Sequence, residues 1–204
     1  MHHVLFLKGL IIGFSIAAPV GPIGILCINR TLSQGLWAGL FSGVGAAVAD
    51  AAYGCIAGFG LVSLSAFLLS WQNSITLIGG AFLIYLSIRT FLSSSAPKPL
   101  SDNANSLWRD FSSTFLLTMT NPATIISFLA IYASLGIVEP GADYLEASMI
   151  VLGVFVGSLI WWCILSFGVH QVRHKLSAST LTWINRLSSL VLFTFGVFAL
   201  IKTI

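Results

Sequence analysis

The hydrophobic residues of this chain come in long runs that short polar stretches separate. A run of at least about 17 apolar residues is long enough to cross a bilayer as a helix. The pattern predicts one all-α membrane domain, residues 1–204, with about six transmembrane helices. Their approximate bounds are 5–29, 36–61, 74–92, 111–135, 147–169 and 186–203. Residues 61–74 carry no charge, so an added interfacial segment or a five-span arrangement stays open there.

Composition supports a membrane protein and excludes several other classes. Charged residues make up 7% of the 204 residues and hydrophobic ones 57%, whereas a soluble domain carries roughly 25% charged residues. The sequence has no phosphate-binding loop, no nucleic-acid-binding module and no set of metal ligands. We therefore expect no cofactor, no metal and no nucleic acid, and a lipid bilayer as the surroundings of the whole chain.

The basic residues predict the orientation. With six spans, seven of the nine lysines and arginines fall on one side of the membrane. They are Arg30, Arg89, Lys98, Arg109, Arg173, Lys175 and Arg186. Because cytoplasmic loops carry an excess of Lys and Arg, this side is predicted to be cytoplasmic. Both termini would then lie on the outer side of a plasma membrane. The family resemblance described below implies that this membrane is the bacterial inner membrane.

The two halves of the chain echo each other. A polar linker, residues 93–110, separates a first half (residues 1–92) from a second half (residues 111–204). Aligning Pro19 with Pro122 pairs two broken spans, and Gly39-x-x-x-Gly43 has a counterpart in Gly153-x-x-x-Gly157. Three spans in each half make the second half enter the membrane from the opposite side. This predicts two inverted three-helix repeats with broken helices 1 and 4, a plan that many secondary transporters share.

Proline and glycine interrupt the first and fourth spans. The segment Ala-Pro-Val-Gly-Pro at residues 18–22 breaks the first, and Asn121-Pro122 breaks the fourth. Proline removes a backbone donor, and in hydrocarbon such a break is tolerated only where protein or a cavity surrounds it. The half-helices that begin after each break would direct free N–H groups at the midplane, where they could bind an anion. A simple proline kink is the alternative for the second break.

Asp50 is the one ionisable residue deep inside a predicted span. It lies on a stripe of small residues that includes Gly39, Gly43 and Ala47, and such a stripe marks the face where another helix packs closely. Asp50 is therefore expected to face the bundle. An acid there either binds a cation, carries a proton, or stays protonated and bonded to a neighbouring helix.

Several segments resemble the lysine-exporter (LysE/RhtB) family of amino-acid exporters. They are Gly13–Gly24, Arg30–Gly43, Ala49–Tyr53, Gly60-Leu61 and Thr120–Ala123 followed by Phe128–Ala130. The resemblance implies an inner-membrane exporter of amino acids or related metabolites that the proton gradient drives. The first break reads Pro-Val-Gly-Pro where many members have Pro-Gly-Pro, and the second motif lacks the family's later proline and phenylalanine.

The breaks, Asp50 and the resemblance together define the candidate site. Tyr53 enters through the resemblance alone, and Asp50 is also the candidate for proton coupling. The predicted substrate-binding residues are Pro19, Gly21, Pro22, Asp50, Tyr53, Asn121 and Pro122.

The predicted function is export of a small zwitterion. The zwitterion's carboxylate would rest on the half-helix N-termini and its ammonium would face Asp50. Substrate identity and a homodimer are left open. The alternatives are a membrane-embedded enzyme or lipid-handling protein, and a structural interaction protein.

Overall fold

The chain forms helices throughout the part that the structure describes. The computed structural model describes residues 2–19, 21–58, 70–92, 104–121, 124–125, 127–128, 144–173 and 177–201. The helices are α1 (His2–Ala17), α2 (Pro22–Gln34), α3 (Leu36–Gly58), α4 (Gln72–Phe91), α5 (Ala104–Met119), α6 (Tyr144–Arg173) and α7 (Ala178–Ile201). The prediction of an all-α membrane protein is confirmed.

Four helices, α3, α4, α6 and α7, are each long and apolar enough to cross a membrane. α1 and α2 together form a fifth candidate span, bent by 78° at the first break. The predicted span at residues 111–135 extends beyond the described residues at its C-terminal end. The described helices thus account for four or five crossings.

α5 begins at Ala104, inside the stretch that the sequence predicts as a linker. Residues 93–103 of that stretch lie outside the described part of the chain. Trp108 and Phe111 meet edge-on with ring centroids 5.5 Å apart, and Phe111 stacks on Phe115 at 6.2 Å. These pairs have the three- and four-residue spacing of helix neighbours, so the helical period starts before the apolar run does.

Glycines bring α1 and α6 into backbone contact. A Cβ atom added at Gly13 would collide with the backbone of Val154, and one added at Gly157 would collide with the backbone of Leu10. Gly153 lies against α1 in the same way. The motif Gly153-x-x-x-Gly157 is therefore a helix-packing face, as small residues at this spacing indicate in membranes.

α3 lies between α6 and α5. Its Gly43 faces the side chain of Trp162 on α6, whereas Gly45 faces the backbone of Phe111 on α5. Ala47, one turn beyond Gly43, is fully buried. The predicted stripe of small residues on α3 is thus the face that packs on α6.

A single glycine connects α2 to α3. Gly35 has a φ of 110°, in the left-handed region that side chains rarely adopt. Its N–H bonds to the carbonyl oxygens of Arg30 at 3.2 Å and Thr31 at 3.1 Å, which closes the end of α2. The chain can then reverse within one residue, and α2 comes to contact α3, α6 and α7.

Arginines predicted to be cytoplasmic gather at one end of the bundle. Arg30 forms an ion pair with Asp110, and Arg89 and Arg109 lie within electrostatic reach of the same carboxylate. Arg173 at the end of α6 donates to a backbone carbonyl near the end of α2 at 2.8 Å. The helices therefore place these cations on a common side of the bundle.

Candidate functional site

The two helix breaks line one crevice between α2, α4, α5 and α7. The space between atoms there is about 280 Å³, a value that includes open solvent. Its lining residues are Pro22, Ile23, Thr76, Gly79, Gly80, Leu83, Leu117, Thr120, Asn121 and Ala199. Residues from the first and second breaks thus meet at one place, although the sequence separates them by half the chain.

The first break ends in an uncapped helix N-terminus. α2 has Gly21 at its N-cap with no side-chain hydrogen bond, and Pro22 at its first position. The first backbone bond that closes the helix runs from the N–H of Ile25 to the oxygen of Gly21, at 3.0 Å. The N–H groups of Ile23 and Gly24 precede it, and such groups have no partner within their own helix. The positive end of the α2 dipole therefore lies at the crevice.

At the second break, α5 ends and a new turn begins. The N–H of Asn121 bonds to the oxygen of Thr118 at 3.2 Å, which terminates α5. The oxygen of Asn121 in turn accepts from Thr124 at 3.1 Å and Ile125 at 3.3 Å. The carbonyl end of α5, where the helix dipole is negative, thus faces the same crevice as the N-terminus of α2.

Tyr53 supports the second break and is not among the residues that line the crevice. Its hydroxyl donates to the carbonyl oxygen of Met119, the last residue of α5, at 2.5 Å. Its ring stacks on Phe128, with centroids 5.7 Å apart. Of the other predicted site residues, Pro19 is exposed and Pro122 lies outside the described residues.

Asp50 points into the bundle, as its position on α3 predicts. Its side chain is 3% exposed, and its Oδ2 accepts a hydrogen bond from Ser158 Oγ on α6 at 2.6 Å. Trp162 Nε1 donates to the same Ser158 oxygen at 3.1 Å. Within the described helices, no lysine or arginine forms an ion pair with Asp50. The acid thus ends a short polar chain between α3 and α6.

Asp50 and the crevice occupy different places around α2. Asp50 is not among the residues that line the crevice. α2 contacts α3 and α6, which carry the acid and its partners, and it also contacts α7 at the crevice. The structure therefore brings Pro22 and Asn121 together directly, and it connects Asp50 to them through α2 and through the contact of α3 with α5.

Sequence reasoning missed a second buried acid and its partner. Arg30 is 6% and Asp110 is 2% exposed, and Arg30 Nε lies 3.3 Å from Asp110 Oδ1. Arg30 Nη1 donates to Ser42 at 2.8 Å and Thr114 at 2.7 Å, and Nη2 donates to Ser113 at 2.6 Å. We call these five residues the Arg30 cluster. The two hydroxyls that follow Asp110 by three and four residues were the available signal, because they share its helix face.

Comparison with known proteins identifies the family. The LysE type translocator profile matches residues 14–203. The chain belongs to the LysE type translocator family. It is 28% identical over 199 residues to the putative amino acid efflux protein YcgF of Bacillus subtilis (strain 168), which covers 94% of this chain and 93% of that protein. No solved structure matches.

A second relative is similar over a shorter stretch. The chain is 29% identical over 152 residues to the uncharacterized membrane protein YahN of Escherichia coli (strain K12), covering 72% of this chain and 67% of that protein. The resemblance to LysE proteins that the sequence motifs indicate is confirmed. As a LysE translocator, the protein is a multi-pass membrane transporter, and it is not an enzyme.

Proposed function

We propose that this LysE translocator exports amino acids or related small zwitterions from the cell, and that inward flow of protons drives the export. The observation that carries the proposal is the meeting of two broken helices at one crevice, with a buried acid on the neighbouring face of the bundle. The name of the relative YcgF, a putative amino acid efflux protein, supports the substrate class and the direction.

The helix contacts support six spans arranged as two inverted repeats. In that arrangement α1, α3 and α4 of the first half correspond to α5, α6 and α7 of the second. Exchanging the halves turns the α1–α6 contact into the α5–α3 contact, and it leaves the α3–α6 and α4–α7 contacts unchanged. All four contacts are extensive in the described residues. An inverted repeat requires such a set of pairs, with the binding site between the repeats.

The crevice has the polarity that a zwitterion needs. A carboxylate would rest on the N–H groups of Ile23 and Gly24, at the positive end of α2. An ammonium would face the carbonyl end of α5 near Thr120. The described lining residues include no charged side chain, so helix ends and the amide of Asn121 would do most of the polar binding.

We assign the proton to Asp50. In this conformation its carboxylate lies outside the crevice, so a substrate ammonium would reach it only after a movement of α2 or α3. A proton arriving from outside would neutralise Asp50 and change its bond to Ser158. Because α2 packs on both α3 and α6, a change in their contact would alter the wall of the crevice. That connection would couple proton entry to substrate release.

Proteoliposomes preloaded with a mixture of the proteinogenic amino acids test the proposal. Mass spectrometry would measure which amino acids leave, and a trapped pH-sensitive dye would measure proton movement. We expect Asn121→Leu to reduce release by roughly tenfold, the effect of losing about one charge-assisted hydrogen bond. Pro22→Ala removes no hydrogen bond, but it takes away the residue that breaks the helix, so we expect it to reduce release as well.

Asn73→Leu, at an exposed position early in α4, is the matched control and should release amino acids at the wild-type rate. If both crevice variants insert into the membrane and also export at that rate, the breaks are ordinary kinks. If the wild-type protein releases no amino acid above empty liposomes, the proposed substrate class is wrong.

A further inference from the structure

The Arg30 cluster ties together three helices at the end of the bundle that is predicted to be cytoplasmic. Arg30 comes from α2, which follows the first break, and Asp110 comes from α5, which precedes the second. Ser42 joins them from α3, with its hydroxyl 2.8 Å from Arg30 Nη1. The carbonyl oxygen of Asp110 also accepts from Nη1, at 2.9 Å. One guanidinium thus holds together, at this end, the helices that form the crevice's two broken walls.

The cluster is not built for stability alone. Burying an ion pair costs about as much in lost hydration as its attraction returns, and well-packed apolar residues often do equally well. Asp110 Oδ2 is buried and has no hydrogen-bond partner among the described residues, so one carboxylate oxygen gains no hydrogen bond from the closed arrangement. Arg89 and Arg109, within electrostatic reach, could offset the charge of Asp110 if Arg30 moved away.

The sequence positions that match this pair in the opposite halves carry no charge. The register that aligns Pro19 with Pro122 places Ala133 opposite Arg30 and Leu7 opposite Asp110. A pair that the fold needed as a staple would be expected at both ends of an inverted repeat. A pair that the sequence provides for one end alone indicates a task that differs between the two sides of the membrane.

We propose that the Arg30 cluster is the cytoplasmic gate of this transporter, closed in the present conformation. Opening separates Arg30 on α2 from Asp110 on α5 and admits substrate to the crevice from the cytoplasm. The proposal rests on the proposed function in requiring a transporter that opens to each side in turn, and on the orientation that the basic residues indicate.

Cys27 is a natural reporter for this gate. It lies one helical turn before Arg30 on α2 and is 0% exposed, with its thiol 3.4 Å from the oxygen of Gly39. A variant with Cys55→Ala and Cys163→Ala would keep Cys27 as its single thiol. A charged, membrane-impermeant thiol reagent would then be applied to inside-out and to right-side-out vesicles, and the labelling rate would be measured from each side.

Arg30→Lys keeps the charge but loses the planar fork that reaches three hydroxyls. Added to the single-cysteine protein, it should raise labelling of Cys27 from the cytoplasmic side by roughly tenfold, the effect of losing about one hydrogen bond to a charged group. Labelling from the outside should stay unchanged, because only the inner gate is weakened.

Asn29→Ala is the matched control. Asn29 is also buried on α2, next to Arg30, and its amide donates to Asn185 on α7 at 2.6 Å. Its loss loosens α2 without touching the cluster. Three results would overturn the gate. They are equal labelling of Cys27 in Arg30→Lys and Asn29→Ala, an equal increase in labelling from both sides with Arg30→Lys, and no increase with Arg30→Lys.

If Arg30→Lys does not accumulate in the membrane, the double variant Ser113→Ala/Thr114→Val replaces it. This variant keeps both charges and removes two of the hydroxyls that hold the guanidinium. An increase in cytoplasmic labelling supports the gate. Failure of both cluster variants to fold, while Asn29→Ala folds, would make the cluster a folding element and overturn the proposal.

Labelling of Cys27 needs no substrate, so it is independent of the proposed cargo. If the wild-type protein released no amino acid and Arg30→Lys still raised the cytoplasmic labelling of Cys27, the substrate class would be wrong and the gate would stand. If the wild-type protein released amino acids and Cys27 labelling were equal in Arg30→Lys and Asn29→Ala, the substrate class would stand and the gate would be wrong.

Discussion

Asp50 and Asp110 are both buried acids, yet their surroundings differ in kind. Asp110 lies at one end of the bundle beside Arg30, within a group of hydroxyls. Asp50 lies midway along α3, and the partner that the structure describes for it is the hydroxyl of Ser158. A neighbouring guanidinium favours the charged form of a carboxylate. One bonded to a neutral hydroxyl has no such cation, so it is better suited to gain and lose a proton during a transport cycle.

Depth adds to this difference. An acid at the centre of a transmembrane helix costs about 2.5–3.5 kcal/mol on insertion scales. Ala46 and Ala47, about one helical turn before Asp50 on α3, are fully buried and apolar, whereas the guanidinium of Arg30 lies beside the carboxylate of Asp110. Among the described residues, the fold therefore provides a charged partner for Asp110 and a neutral hydroxyl for Asp50. We expect the two acids to fail in different ways when they are changed.

The largest effect is expected from Asp50→Asn. Asparagine keeps the size and hydrogen bonding of Asp50 but cannot carry a proton, so proton-coupled export should be abolished while membrane abundance stays near normal. Any remaining release should be insensitive to external pH. The measurement is amino acid release from proteoliposomes over a range of external pH values.

Asp110→Asn is the matched comparison at the other acid. It removes a charge at the gate and should change the rate of export while the dependence on external pH stays that of the wild type. Export by Asp50→Asn with wild-type rate and pH dependence would make Asp50 a packing residue. Loss of pH dependence in Asp110→Asn would end the distinction between the two acids.

A smaller effect is expected from Ser158→Ala. The change removes the hydrogen bond to Asp50 but leaves the acid, so export should continue with a shifted pH midpoint. The free energy of unfolding should fall by about 2 kcal/mol, the usual contribution of a hydrogen bond to a charged group. Ser148→Ala, which changes an exposed serine on the same helix, is the control. An unchanged pH midpoint in Ser158→Ala would mean that the bond to Ser158 plays no part in coupling.

The smallest effect is expected from Trp162→Phe. Phenylalanine keeps a ring against Gly43 but cannot donate to Ser158, so about 1 kcal/mol of stability should be lost and proton coupling should persist. Thermal unfolding in detergent and the pH profile of export would measure the two quantities. A loss of coupling as complete as in Asp50→Asn would place Trp162 in the proton path and widen the site beyond the acid.

Local sequence indicated most of the helices and both breaks, although α5 begins at Ala104 and α7 at Ala178, before the apolar runs that predicted them. Proline with glycine predicted the interruption after Ala17, and proline after asparagine predicted the one at Asn121. The small residues on α3 predicted which way Asp50 faces. These features are local because hydrocarbon requires each helix to satisfy its own backbone groups, so length, hydropathy and helix-breaking residues are sufficient to indicate them.

The contacts between distant segments were decided by the tertiary structure alone. Arg30 and Asp110 lie 80 residues apart, and each looked like an ordinary charge at the end of a span. The set of helices that surrounds the crevice, the support that Tyr53 gives to α5, and the position of Asp50 outside the crevice lining were equally hidden. Each depends on which helix faces which, and that choice follows from close packing at glycines such as Gly13 and Gly157. Hydropathy shows that such a glycine is apolar, but it does not indicate which helix the glycine will contact.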